Sequence, residues 1–88
     1  MSYSDHLVRM KELLDQQYTW PDKYMFKFIV PGGKEDEVKT LADVTSAQFR
    51  PSRSGKYVSM TFEKSIESSD EVIEIYKRLS KIEGIVSL

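Results

Sequence analysis

An 88-residue chain has room for one domain around one hydrophobic core, and 13 Lys/Arg against 14 Asp/Glu give it no overall pull toward nucleic acid or acidic lipid. Cysteine is absent, which excludes disulfides, thiolate nucleophiles and every zinc site that needs sulfur. The apolar runs are too short to cross a bilayer, and the N-terminus lacks the pattern of a secretory leader, so a cytoplasmic protein without membrane contact is expected.

The chain opens on an amphipathic helix over residues 1–18, with Ser4 as its N-cap, Asp5 in its first turn and Leu7, Met10, Leu14 and Tyr18 on its apolar face. Trp20-Pro21 ends it, because the residue before a proline avoids the helical region. Tyr24, Phe26, Phe28 and Val30 then alternate with Met25, Lys27 and Ile29, the period-two pattern of a central strand over 23–30. Pro31-Gly32-Gly33 breaks that strand. Val38, Leu41 and Ala42 in a charged setting predict a short helix over 34–43, and residues 44–50 read as a second strand. Pro51 to Gly55 forms a turn, followed by a third strand over 56–64 with Val58, Met60 and Phe62 on one side. Proline cannot donate to a ladder, so the strand that Pro51 ends belongs at a sheet edge. Ser68 and Glu71 have the spacing of a capping box, and Val72, Ile75, Tyr76 and Leu79 are the apolar stripe of the last helix. Gly84 resets the chain for a final strand over 85–88.

This succession predicts an α+β fold: a ferredoxin-like βαββαβ antiparallel sheet in order 4-1-3-2, two helices on one face, and an extra N-terminal helix. Residues 1–88 then form a single domain, with the N-terminal helix at 1–18 and the core at 23–88. Met25, Lys27, Ile29, Tyr57, Ser59 and Thr61 fall on the face away from the two helices, and that face is only half polar. The N-terminal helix or a second copy of the protein is available to cover it; alternatively, the helix simply completes the core.

Charge is spread unevenly. Residues 1–49 carry six basic against eight acidic side chains, and residues 65–88 carry three against five. Between them, Arg50, Arg53, Lys56 and Lys64 face Glu63 alone, which makes the hairpin the one basic island. Arg50, Ser52, Arg53, Lys56, Tyr57 and Ser59 are therefore the candidate contact residues, suited to a small anionic ligand or an acidic protein partner. Basic residues on an edge strand also guard against edge-to-edge aggregation, an equally good explanation of the same pattern.

Other chemistry finds little support. Pro31-Gly32-Gly33-Lys34 places backbone amides at a helix start, but Glu35, Asp36 and Glu37 follow at once, where they satisfy the helix dipole and repel phosphate. A plain turn is expected there. Binding of single-stranded RNA to such a sheet needs stacking aromatics on its open face, and only Tyr57 is present. His6 is the only histidine and sits in the first turn of a terminal helix, while Glu71/Glu74 and Glu35/Asp36 have no histidine or cysteine beside them. No catalytic, cofactor or metal site is expected.

From Trp20 onward the chain resembles the YbeD-like family of small bacterial proteins of unknown function. The resemblance lies in Lys27, in Arg50-Pro51-Ser52-Arg53-Ser54-Gly55-Lys56-Tyr57-Val58-Ser59, and in Ile75-Tyr76-Lys77-Arg78-Leu79 leading to Ile85-Val86-Ser87-Leu88. It implies a ferredoxin-like, ACT-domain-like fold and brings no established activity and no agreed catalytic residues. ACT-like folds commonly serve as regulatory or ligand-sensing modules, often as dimers. The expectation is a non-enzymatic regulatory or protein-interaction module, a homodimer, with the hairpin and its edge as contact surface. The alternatives are an ACT-like sensor of a small metabolite bound between subunits and, behind it, a single-stranded RNA binder.

Overall fold

The alternation of large apolar and polar residues builds a long strand pair at the centre of the molecule. In the computed structural model, which describes residues 2–88 with side chains from His6 onward, β1 (Asp22–Pro31) and β3 (Tyr57–Ile66) run antiparallel. They stay in register from Asp22 opposite Ile66 to Pro31 opposite Tyr57. β2 (Gln48–Pro51) pairs with β3 and β4 (Val86–Ser87) with β1, giving a four-stranded antiparallel sheet in the order β2-β3-β1-β4. This is the expected succession read from the opposite edge, and it is compatible with a ferredoxin-like arrangement. With α1 (Ser2–Gln17), α2 (Glu35–Ala42) and α3 (Ser69–Leu79) the fold is α+β.

Even-numbered residues of the two long strands point toward the helices. Phe26, Phe28, Val30, Val58, Met60, Phe62 and Ile66 are buried there against Val38 and Ala42 of α2 and Val72, Ile75 and Leu79 of α3. The Phe26 ring lies 5.1 Å from Phe62, 5.5 Å from Tyr76 and 4.8 Å from Tyr24, within the range where offset and edge contacts between rings are favourable. α2 is closed at both ends by charge. Its first turn holds Glu35, Asp36 and Glu37, and at the other end Lys64 of β3 donates to the carbonyls of Ala42 (2.8 Å) and Asp43 (3.0 Å). An ammonium at a helix C-terminus satisfies carbonyls that have no intrahelical partner and complements the dipole.

The second strand begins at Gln48 rather than at Val44. Asp43 takes the left-handed conformation (φ 57°), and the Val44 amide returns to the Lys39 carbonyl at 3.0 Å to finish the helix end. Val44 and Ala47 then pack against the core from a connecting segment, so pairing starts only where Gln48 comes opposite Thr61. The third and fourth strands are shifted by small amounts, to Tyr57–Ile66 and Val86–Ser87. α1 starts at Ser2, which puts Ser4 inside the helix rather than at its cap. Ser68 is the N-cap of α3 with extended backbone, but its hydroxyl makes no capping bond; the Glu71 carboxylate instead accepts the Glu67 amide at 2.8 Å.

α1 lies beside α3 on the helix side of the sheet and leaves the open face uncovered. Leu14 is buried in the common core, with Met10 and Tyr18 packed against it. A polar clasp fixes the helix in place. Lys11 Nζ donates to the buried Ser69 hydroxyl (2.9 Å) and reaches Asp70 (3.2 Å) and Asp15 (3.6 Å), while Trp20 Nε1 donates to Asp15 (2.9 Å). The Trp20 hydrogen bond, helped by Ser69 and Lys11, holds the Asp15 carboxyl below its ordinary value, and the bond to Asp70 raises Lys11. A lowered carboxyl pKa stabilises the docked helix above the ordinary value of 3.8, and that contribution disappears as pH falls through the folded value. A raised lysine contributes below its ordinary value of 10.5 and loses its effect as pH rises through the folded one. Trp20 is the only tryptophan and reports both limbs. Its fluorescence is expected to change at acid and strongly alkaline pH, and Asp15→Asn is expected to flatten the acid limb alone.

A basic open sheet face as the candidate functional site

The strand register fixes what the uncovered side presents. Arg50, Ser59, Ile29 and Val86 form one cross-strand row, and Gln48, Thr61 and Lys27 the next. Met25 (52% exposed), Tyr57 (47%) and Val86 (52%) stand on this side in solvent. Its strand positions carry Lys23, Lys27 and Arg50 against Glu63 alone. Lys27, Arg50, Arg53 and Lys56 take no part in an ion pair; the pairs among the described residues use Lys11, Lys34, Lys64 and Arg78. Lys64 therefore leaves the basic island, because its even-numbered position turns it to the helix side and the end of α2 occupies it. Lys27 joins the island across the sheet.

The six candidate contact residues divide into two groups. Arg50, Ser52, Tyr57 and Ser59 come together with Ile29 and Pro51 around a shallow concavity of about 380 Å³ whose surface is almost wholly apolar. Arg53 and Lys56 stand exposed in the loop beyond it. Ser52 is held by the loop itself: its amide donates to the Tyr57 carbonyl (2.8 Å) and its hydroxyl accepts the Tyr57 amide (3.3 Å). Ser54 accepts the Lys56 amide in the same way (3.3 Å), so these two serines shape the turn.

The exit of β1 buttresses the hairpin. Gly32 donates its amide to the Lys56 carbonyl at 2.8 Å, and a Cβ at position 32 would lie 2.9 Å from the Gly55 carbonyl oxygen. The next amide, of Gly33, is taken by the Glu35 carboxylate at 2.7 Å. The loop's own acid thus occupies the place where an anion would have to bind. The outer edge of β2 is blunted. The Ser52–Tyr57 bond sets the ladder alternation so that Phe49 and Pro51 face outward, and Pro51 has no amide to offer.

A second concavity, of about 650 Å³, lies on the helix side where α1 approaches α3 and the segment before β4. Tyr24, Phe28, Tyr76, Met10 and Ile85 line it, with His6 and Glu83 also at its wall. The hydroxyls of Tyr24 and Tyr76 are 3.5 Å apart, and burial pushes the Tyr24 phenol up, so it stays protonated at neutral pH. This groove unites the two ends of the chain, and no local pattern announces it. Among the described residues no group of histidines and carboxylates is disposed to hold a metal ion, and no helix is long and apolar enough to cross a membrane.

Fold and site together define a small α+β protein with three helices on one side of its sheet and a basic, partly apolar surface on the other. The chain belongs to the family described as "Protein of unknown function (DUF493)", whose model matches residues 15–88, in line with the YbeD-like resemblance of its hairpin and last helix. No curated protein and no solved structure matches it. The matched span holds the whole open face but only the end of α1. Gly32→Ala is expected to force the β1 exit away from the hairpin and to cost about 1–3 kcal/mol in urea unfolding, the usual range for an overpacked contact.

Proposed function

We propose that this chain is a ferredoxin-like, non-enzymatic regulatory or interaction module whose open sheet face receives an acidic protein partner. The observation that carries this is the uncovered face itself: Lys27, Arg50, Arg53 and Lys56 lie on or beside it without a carboxylate partner, around exposed apolar side chains. An apolar centre with a charged rim is the usual anatomy of a protein interface, and unpaired cations steer an acidic partner toward it. The contact surface is the face rather than the edge of the hairpin, because Pro51 leaves Phe49 as the one outward amide of β2. Two copies meeting through this face would set basic side chains against one another, which disfavours self-association there. RNA lacks its stacking platform, since Tyr57 is the only aromatic ring among the described residues on this side.

The test is charge reversal. Lys27→Glu combined with Arg50→Glu changes two exposed positions and is expected to leave the melting temperature unchanged. Proteins retained by the wild-type chain from cell lysate should be retained at least about tenfold less by the variant, in a salt-dependent way. Equal retention would overturn the proposal.

The groove between α1, α3 and β4 supports a second function, the sensing of a small metabolite within one chain. Its apolar lining and paired tyrosine hydroxyls are the features of a ligand site, although one wall lies outside the matched family span. A metabolite that raises the melting temperature of the wild-type chain, and fails to do so once Met10→Trp fills the groove, would support it.

A further inference from the structure

We infer that the partner of the open face presents an acidic segment carrying one large apolar side chain with carboxylates on both sides of it. The inference rests on the open-face function and adds the chemistry of the occupant.

The concavity beside Arg50 supplies the anchor site. Ile29, Pro51 and Tyr57 give it an apolar surface, and of its polar neighbours the Ser52 hydroxyl is already engaged by the Tyr57 amide. Such a hollow gains nothing from a charged group and is best filled by an aliphatic or aromatic side chain. Cations stand on two sides of it. Arg50 lines it and Lys27 lies one row further along the sheet, while Arg53 and Lys56 lie in the loop at its other end. Standard sheet spacings put the Cα atoms of Lys27 and Arg50 about 12 Å apart, two strands and one row, a span that a short peptide covers. Carboxylates flanking the anchor thus meet a cation in either direction. The segment binds through side chains laid over the face, because the edge at Pro51 cannot extend the ladder. Charge complementarity selects this occupant over a second copy of the chain, whose own open face is basic, and over RNA, which would find a single ring to stack on.

The test uses the full chain, isotope-labelled for amide NMR, and three short synthetic peptides: leucine between glutamate pairs, glycine in place of the leucine, and leucine between lysine pairs. A uridine oligonucleotide is the fourth probe. The glutamate–leucine peptide is expected to shift the amides of Ile29, Arg50, Tyr57 and Ser59 and to bind at least about tenfold more tightly than the glycine peptide. The lysine peptide should leave those amides unmoved. Arg50→Glu and Tyr57→Ser, both at exposed positions, should each weaken the leucine peptide while retaining the wild-type spectrum elsewhere. Equal binding of the leucine and glycine peptides would overturn the anchor, as would shifts confined to the helix side or matched by the oligonucleotide. So would failure of every acidic peptide while lysate capture still depends on Lys27 and Arg50, a result that leaves the open-face function standing. Capture indifferent to those two residues would remove the open-face function itself.

Discussion

The pairing of β1 with β3 is the constraint on which the rest of the molecule depends. A strand shows alternate residues to opposite sides, so one register, from Asp22 opposite Ile66 to Pro31 opposite Tyr57, assigns every side chain of both strands to the core or to solvent. A slip of β1 by one residue would expose Phe26 and Phe28 and bury Lys27. The stacked rings on the helix side penalise any such slip heavily, and they therefore also hold the composition of the opposite face. Core and candidate site are two readings of one alternation.

The basic residues are sorted by side. On the helix side, Lys64 closes the C-terminus of α2 and Lys11 fastens α1 to the start of α3, each through contacts with carbonyl, hydroxyl or carboxylate oxygen. These lysines act as fasteners, and nearby acidic side chains balance them. On the sheet side, the strands carry Lys23, Lys27 and Arg50 with one acid, Glu63, and no ion pair among the described residues engages them. A chain whose formal charge is −1 thus acquires a polarity that its composition conceals.

Much of the fold was legible because it is encoded locally. The alternation from Tyr24 to Val30 gave the central strand, Pro51 marked an edge, and the stripe from Val72 to Leu79 gave the last helix. Elements whose position depends on distant partners were not. Residues 44–47 have the composition of a strand, yet they finish the end of α2 and flank the core, and pairing with β3 begins only at Gln48. Lys64 looks like a hairpin cation until its even-numbered position is set against the ladder. The candidate hairpin residues were recognised, but their division into a lined hollow and an outlying loop requires Ile29, which comes from another strand. The groove beside α1 joins residues from the two ends of the chain and has no sequence signal.

The close approach of Gly32 to the hairpin has an entropic consequence. An isolated two-residue or five-residue turn at the end of a strand pair samples many shapes, and a ligand that selected one of them would lose binding energy in doing so. Here the turn is tied to the neighbouring strand exit at the Lys56 carbonyl and closed internally by two serine hydroxyls. The hollow beside Arg50 is consequently preorganised. Its shape exists before anything arrives, and ordering costs on association fall mainly on the long side chains of Lys27, Arg50, Arg53 and Lys56 and on the incoming segment.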